Sequence, residues 1–329
     1  MIAPRPTPTF EGAVAVEAAG CPVCGGSAAR PFAEAYDLEY ASSTEPFQYL
    51  ACERCEVVYL EAPPIDRLRE IYPPNYYSYE PGGGPGSPIR RIKEWLDART
   101  FRRLLSRIPG DRLSVLDVGG GSGWLLSTIR GISDRVRETH VVDIDEGTRA
   151  SAAAAGHVFH CARVEDFDPD RPFDLILLLN LVEHVADPSA VLRSMREALS
   201  PRGLILVKTP NTDTIDRRLF QHRNWGGFHC PRHWVLFTRE SLVDLAARQG
   251  LTCLDARYTQ GGWQWSASIL GWLHRLGRVA IGRDRPVHTH PLFLPIAALM
   301  AGFDFLRRPL FPTAQMILTF ARAEDNPEG

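Results

Sequence analysis

One stretch constrains the fold more than any other. The apolar run Leu113–Val118 passes directly into Gly119, Gly120, Gly121, Ser122 and Gly123, and then into a helical pattern that continues to Arg130. Several glycines in a row are costly in chain entropy, and they are kept where a backbone must turn tightly or approach a ligand closely. A strand, a glycine loop and a helix in this order build a phosphate- or nucleotide-type cofactor site. The dinucleotide fingerprint requires a third glycine where helix and strand pack closest. Counting from Gly119 and Gly121, that position is Trp124; from Gly121 and Gly123 it is Leu126. Both are bulky, so a nicotinamide cofactor is the weakest reading.

The surrounding chain alternates strand and helix patterns. Strands are expected at Leu113 to Val118, Thr139 to Ile144, Val158 to Cys161, Phe173 to Asn180, Gly203 to Thr209, Leu251 to Tyr258 and Met316 to Ala321. Helices are expected at Ser122 to Arg130, Glu146 to Ala155, Pro188 to Leu199 and Arg239 to Gln249. Near-continuous apolar strands separated by helices specify an α/β fold with a mostly parallel, doubly wound sheet covered on both faces. A further helix begins at Pro88, with Ile89, Ile92, Trp95, Leu96, Phe101, Leu104, Leu105 and Ile108 at helical spacing.

The pattern that does fit the glycine loop is Asp117, Gly119, Gly121 and Gly123 at every second position. It resembles motif I of the class I S-adenosylmethionine-dependent methyltransferases. Asp143 ends the next strand, where a carboxylate reaches both ribose hydroxyls; Asp145 is the better helix cap. Phe173 to Asn180 followed by Leu181 to Val185 resembles that superfamily's fourth strand and turn. Ser200 to Gly203, ending in Thr209, Pro210 and Asn211, resembles its fifth strand. Pro231, Arg232, His233 and Trp234, then Phe237 and Thr238, are similar to a segment of one branch. The resemblance implies a Rossmann-like core, S-adenosyl-L-methionine as cofactor, and cofactor contacts from Asp117, Gly119, Gly121, Gly123, Asp143, Ile144, Val164 and Asn180. Arg163 stands where many members carry the adenine-holding Asp, so Val164 is expected against the ring, with Glu165 or Asp166 at its amino group.

The seven cysteines sort into two C-x-x-C pairs, Cys21/Cys24 and Cys52/Cys55, and the scattered Cys161, Cys230 and Cys253. An odd total without a secretory leader does not read as a disulfide framework. Two knuckles beside the short strands Phe47 to Cys52 and Val57 to Leu60 supply four thiolates for a structural zinc ion, with no open position for substrate. A zinc ribbon ahead of this core is similar to a bacterial branch that tailors sugars, lipids and other metabolites. Near-exclusive use of arginine, with Lys93 and Lys208 the only lysines, fits a GC-rich bacterial genome. The expected organisation is a loose N-terminus (1–18), a zinc ribbon with a Tyr-rich lid segment (19–80), a linker and helix (81–110), and a core (111–325) with insertions at 211–237 and 261–311.

Methyl transfer from an activated donor asks the protein mainly to align reactants. A base is needed only where the acceptor holds its proton tightly. His184, after the fourth core strand, and His229 and His233, in the first insertion, are the catalytic candidates; His184 also reads as a turn residue packing the core. In similar quinone-type O-methyltransferases an E-x-x-E-H arrangement holds a divalent metal, but its first position here is Asn180, which argues against one. Tyr76, Tyr77 and Tyr79 read as a lid or as a solvated hinge. In the 261–311 insertion, Trp265, Ile269, Trp272, Leu273 and Leu276 lie opposite His274, Arg275 and Arg278. That reads first as a substrate cap or dimer face, and second as a helix for peripheral membrane contact.

The acceptor is expected to be a small metabolite, sugar or lipid-linked molecule. With 37 basic and 39 acidic residues the chain lacks the basic excess of a nucleic-acid binder. An RNA-base methyltransferase is therefore the alternative, and a non-catalytic cofactor-fold binding protein a further one. A cytoplasmic location is expected, and the oligomeric state is left open.

Overall fold

The computed structural model describes residues 20–72 and 98–323. In chain order the strands are β1 (Ala29–Ala35), β2 (Phe47–Cys52), β3 (Val58–Leu60), β4 (Leu113–Val118), β5 (Val136–Asp143) and β6 (Val158–Cys161). They continue as β7 (Phe173–Leu179), β8 (Leu199–Pro210), β9 (Val235–Leu236), β10 (Leu251–Thr259) and β11 (Gln315–Arg322).

Seven of them form one sheet in the order β10-β11-β8-β7-β4-β5-β6. The pairs β8–β7, β7–β4, β4–β5 and β5–β6 are parallel, while β11 is antiparallel to both neighbours. Leu175, Ile176, Leu177 and Leu178 of β7 are fully buried on alternate faces, because helices cover both sides of the sheet. This is the expected doubly wound α/β architecture. Strand order reverses between β4 and β7, which opens a crevice at their carboxyl ends. The helix after β4 runs Trp124–Ile132 and starts two residues later than Ser122, since the glycine loop extends through Gly123 at φ +71°. Asp145 caps the next turn by accepting from the Gly147 N–H at 2.9 Å.

The N-terminal segment is not a free appendage. β1, β2 and β3 form an antiparallel sheet whose fourth strand is β9, from the 211–237 stretch, with Val58 opposite Leu236 and Tyr59 opposite Val235. The Tyr49 hydroxyl donates to the carbonyls of Phe228 and His233. Asp37 and Arg232, both fully buried, form a two-pronged ion pair at 2.9 and 3.2 Å. One continuous apolar cluster therefore runs from Cys21 and Tyr59 to Leu178 and Leu318.

Between β10 and β11 lie the helices Gly262–Arg275 and Phe293–Arg307. The first is largely buried, and Trp265 is among its core residues, not at a surface. In the second, Phe293 and Asp304 are the buried residues. Residues 98–105 are helical, with Phe101, Leu104 and Leu105 buried there and Ile108 buried just beyond. The loose N-terminus, the linker, Ile89, Ile92, Trp95, Leu96, Tyr76, Tyr77 and Tyr79 lie outside the described residues.

Candidate active site

A cavity of about 430 Å³ opens at the carboxyl ends of β4, β5 and β7. That is within the usual range for a small-molecule site. Its floor is the glycine loop. Gly119 and Gly121 have φ of +77° and +53°, which L side chains rarely adopt. Gly120, missed in the every-second-residue pattern, packs against Asp117 so closely that a Cβ would lie 2.7 Å from its carboxyl carbon. Burial first, and then the charge of Asp143, push the Asp117 carboxyl up to about 7.

Asp143 is fixed by backbone donors. Its Oδ2 accepts from the Gly121 N–H at 2.8 Å and its Oδ1 from the Asp145 N–H at 2.9 Å. Each oxygen keeps a further lone pair for a ligand. Ile144, Val164 and Asn180 also line the cavity. Asn180 adopts a left-handed φ of +53° at the end of β7, a conformation that asparagine tolerates. Arg163 and Glu165 stand in the wall as an ion pair at 3.2 Å, whereas Asp166 is not part of the lining. Trp124, the residue that spoils the dinucleotide fingerprint, is a wall residue.

Gly123 is not in the lining. A Cβ there would lie 2.4 Å from the His157 ring, so this glycine serves close packing of the helix start.

The three candidate histidines do come together. The His184 ring centroid is 4.7 Å from His233 and 6.2 Å from His229, and those two are 5.0 Å apart. Among them only His184 reaches the cavity wall. His233 is turned inward, with Nδ1 2.8 Å from the Gly227 carbonyl and Nε2 4.0 Å from Glu183. His229 sits with Nδ1 2.8 Å from Glu39 Oε2.

His184 Nδ1 lies 3.0 Å from both the Arg232 carbonyl and the Tyr72 hydroxyl. A carbonyl only accepts, so Nδ1 carries the proton, and Nε2 has no hydrogen-bond partner among the described residues. Burial holds the His184 imidazole down to about 3, and burial likewise lowers His233. Burial raises Glu183 to about 8, while one of its oxygens accepts from Thr209 at 2.9 Å. At neutral pH this acid–imidazole group is therefore uncharged. Glu183, His184 and His233 offer ligand atoms within 4.8 Å of one another, the spacing of a metal-binding triad. Sequence reasoning missed Tyr72, Leu68 and Trp234 as wall residues. Tyr72 opens the Tyr-rich segment, but nothing local aims it at a cavity whose glycine loop begins at Gly119, far along the chain.

The four knuckle cysteines also converge, with Sγ–Sγ distances of 3.5 Å for Cys21–Cys55 and for Cys24–Cys52. All four sulfurs lie within 4.8 Å of one another. Burial pushes the Cys21 thiol up to about 11 and Cys55 further, whereas backbone and neighbouring-thiol hydrogen bonds outweigh burial at Cys52 and bring it down to about 7. The set fits a closed, four-sulfur structural zinc site.

The sheet order, glycine loop, acidic residue on β5 and cavity define a class I S-adenosylmethionine-dependent methyltransferase. A family model described as "Methyltransferase domain" matches residues 90–256, just over half the chain, and the chain belongs to that family. Two curated relatives are named ubiquinone biosynthesis O-methyltransferase. That of Bradyrhizobium diazoefficiens is 32% identical over 124 residues, 35% of this chain and 43% of that protein. That of Cereibacter sphaeroides (strain ATCC 17029 / ATH 2.4.9) is 27% identical over 194 residues, 54% of this chain and 76% of that protein. The chain thus spans less than half the length of the first. Among solved structures it is similar to coclaurine N-methyltransferase, with a TM-score of 0.48, 15% identity, and coverage of 74% and 75% of the two chains. It is also similar to a methyltransferase from Mesorhizobium loti, with a TM-score of 0.44, 16% identity, and coverage of 68% and 96%.

Proposed function

We propose that this protein transfers a methyl group from S-adenosylmethionine to a hydroxyl oxygen of a small or lipid-linked acceptor. The observation that carries the reading is a single cavity with a cofactor-type floor at one end and the Tyr72–His184 pair in its wall. The names of the curated relatives support an oxygen acceptor. No helix among the described residues is long and apolar enough to cross a membrane. The exposed helix Phe293–Arg307 supports peripheral membrane contact through 261–311.

S-adenosylmethionine, when bound, supplies the activated methyl group. Asp143 would hold the ribose hydroxyls, the Gly119–Gly121 backbone and Asp117 would hold the amino-acid end, and Ile144 and Val164 would pack the adenine. Asn180 keeps the end of β7 turned toward the donor. His184, neutral and protonated on Nδ1, orients the acceptor hydroxyl together with Tyr72. A pKa near 3 suits that hydrogen-bonding role better than proton abstraction, which needs a pKa near the working pH. His233 and Glu183 hold His184 from behind, and Cys21, Cys24, Cys52 and Cys55 hold a structural zinc ion.

Calorimetric titration with S-adenosylhomocysteine tests the cofactor site. Binding is expected, weakened at least about tenfold in Asp143→Ala, which removes charge-assisted hydrogen bonds. Absence of binding, or unchanged affinity in the variant, would refute the assignment. Mass analysis of products formed with isotope-labelled donor then reads the methylated atom.

A further inference from the structure

Among the described residues, the exposed large apolar side chains are concentrated on one element. Along Phe293–Arg307 and the turn after it, Leu294 is 71% exposed, Leu299 73%, Leu306 78% and Leu310 80%, with Phe303, Phe305 and Phe311 also open to solvent. From Pro291 to Leu306 the one charged residue is Asp304, and it is fully buried. Asp304 accepts from the Gly261 N–H at 2.8 Å and from the Trp265 indole at 3.3 Å. Phe293 is buried against Trp263, with ring centroids 4.5 Å apart. The helix is therefore pinned along its inner side while its apolar side faces outward. A contiguous apolar patch of this kind marks an interaction surface.

We infer that this helix and the turn following it form an in-plane anchor for an anionic membrane surface. Three observations choose the occupant. The helix has 15 residues, roughly 22 Å at the α-helical rise, which is too short to span a bilayer but suited to lying in its interface. Over residues 271–311 the exposed charged side chains are five arginines, Arg275, Arg278, Arg283, Arg285 and Arg308, against one acid, Asp284. Arg308 lies over the Phe305 ring at 4.6 Å, which sets a cation at the border of the apolar face. Self-association across a two-fold axis would bring these arginines toward their own copies, whereas anionic headgroups complement them.

The topology gives the surface a purpose. β10 is antiparallel to β11, and β11 to β8, so β10 runs in the same direction as β8, β7 and β4. The insertion leaves β10 after Thr259 and returns at Gln315, which pairs with Pro210 at the end of β8. It therefore rises from the same carboxyl edge of the sheet as the cofactor cavity. A bilayer held there lies on the side from which a lipid-borne acceptor would enter. This deepens the peripheral contact proposed above and stands independently of methyl transfer itself.

Sedimentation of the full chain with vesicles is the test. With vesicles of equal parts phosphatidylglycerol and phosphatidylcholine, most of the protein is expected in the pellet; with phosphatidylcholine alone, little. The double variant L299E/L306E should lower partition at least about tenfold, since each change puts a charge on the inserted face. Its binding of S-adenosylhomocysteine should be unchanged, which separates this inference from the cofactor assignment. No pelleting with the anionic vesicles would overturn the inference, as would equal pelleting of the variant. A dimer in light scattering that L299E/L306E dissociates, without vesicle binding, would assign the face to a second copy and overturn it as well.

Discussion

Asp117 shows how burial turns one motif residue into a pH-dependent liability. Its carboxyl is raised from 3.8 to about 7, chiefly by desolvation. Between those values the folded chain keeps a proton that the unfolded chain has released, so stability falls as pH rises through that window. Asp117→Asn removes the titrating group. In the ligand-free protein its Tm should fall less than the parent's between pH 4 and 8. Above pH 7 it should be the more stable form by about 2–4 kcal/mol, the scale set by moving that carboxyl from 3.8 to about 7. Thermal melts across pH check both points. His184 gives a second prediction at this scale. If it orients the acceptor and does not abstract a proton, His184→Ala should lower kcat by about 10- to 100-fold, the cost of misplacing a reactant. The parent's pH–rate profile should then show no inflection near pH 6.5, because the His184 imidazole is held down to about 3.

At the scale of elements, the pairing of β3 with β9 joins the N-terminal sheet to the stretch carrying His229 and His233. The Asp37–Arg232 pair locks the same junction. Burial alone would raise the Asp37 carboxyl, but the Arg232 guanidinium and its hydrogen bonds outweigh it and hold the group below its usual value. Arg232 also donates to the carbonyls of Ile71 and Cys230, so its loss orphans several buried acceptors. Arg232→Met should cost about 3–5 kcal/mol, the range for breaking a buried pair from one side. Asp37→Asn in the Arg232→Met background should recover part of that loss, as denaturant titrations would show. Ile71 and Tyr72 are adjacent, so the same anchor supports the hydroxyl that faces His184. Local sequence gave no sign of β9, which is two residues long and owes its strand geometry to its partner.

Across the whole molecule, the apolar cluster that contains Cys21 and Cys52 also contains Phe173, Leu178 and Phe320. A core shared in this way predicts that the ribbon and the large sheet unfold together. Scanning calorimetry of the zinc-loaded chain should give a single transition over the described core. Chelation should move that whole transition downward, since metal bound to the folded form alone stabilises it by mass action. A separate low-temperature transition for the ribbon after chelation would contradict the shared core. Metal analysis of the purified protein should find one zinc ion per chain, lost in Cys52→Ser.

The parts legible in the sequence are those decided by local chemistry. Strand and helix periods follow from which side chains can be buried. The glycine loop follows from backbone conformations that glycine adopts most readily, at Gly119 and Gly121, and the C-x-x-C knuckles from the reach of paired thiols. The contacts decided by tertiary structure join residues far apart in the chain. Tyr72 faces His184, Glu183 faces His233, and β9 pairs with β3. The two insertion helices had opposite fates. The Trp265 side of Gly262–Arg275 was absorbed into the core, with Trp272 left exposed, while Phe293–Arg307 was left with its apolar side in solvent. A helical pattern states which residues share a face, but the neighbours that fold against it determine whether that face meets protein, water or lipid.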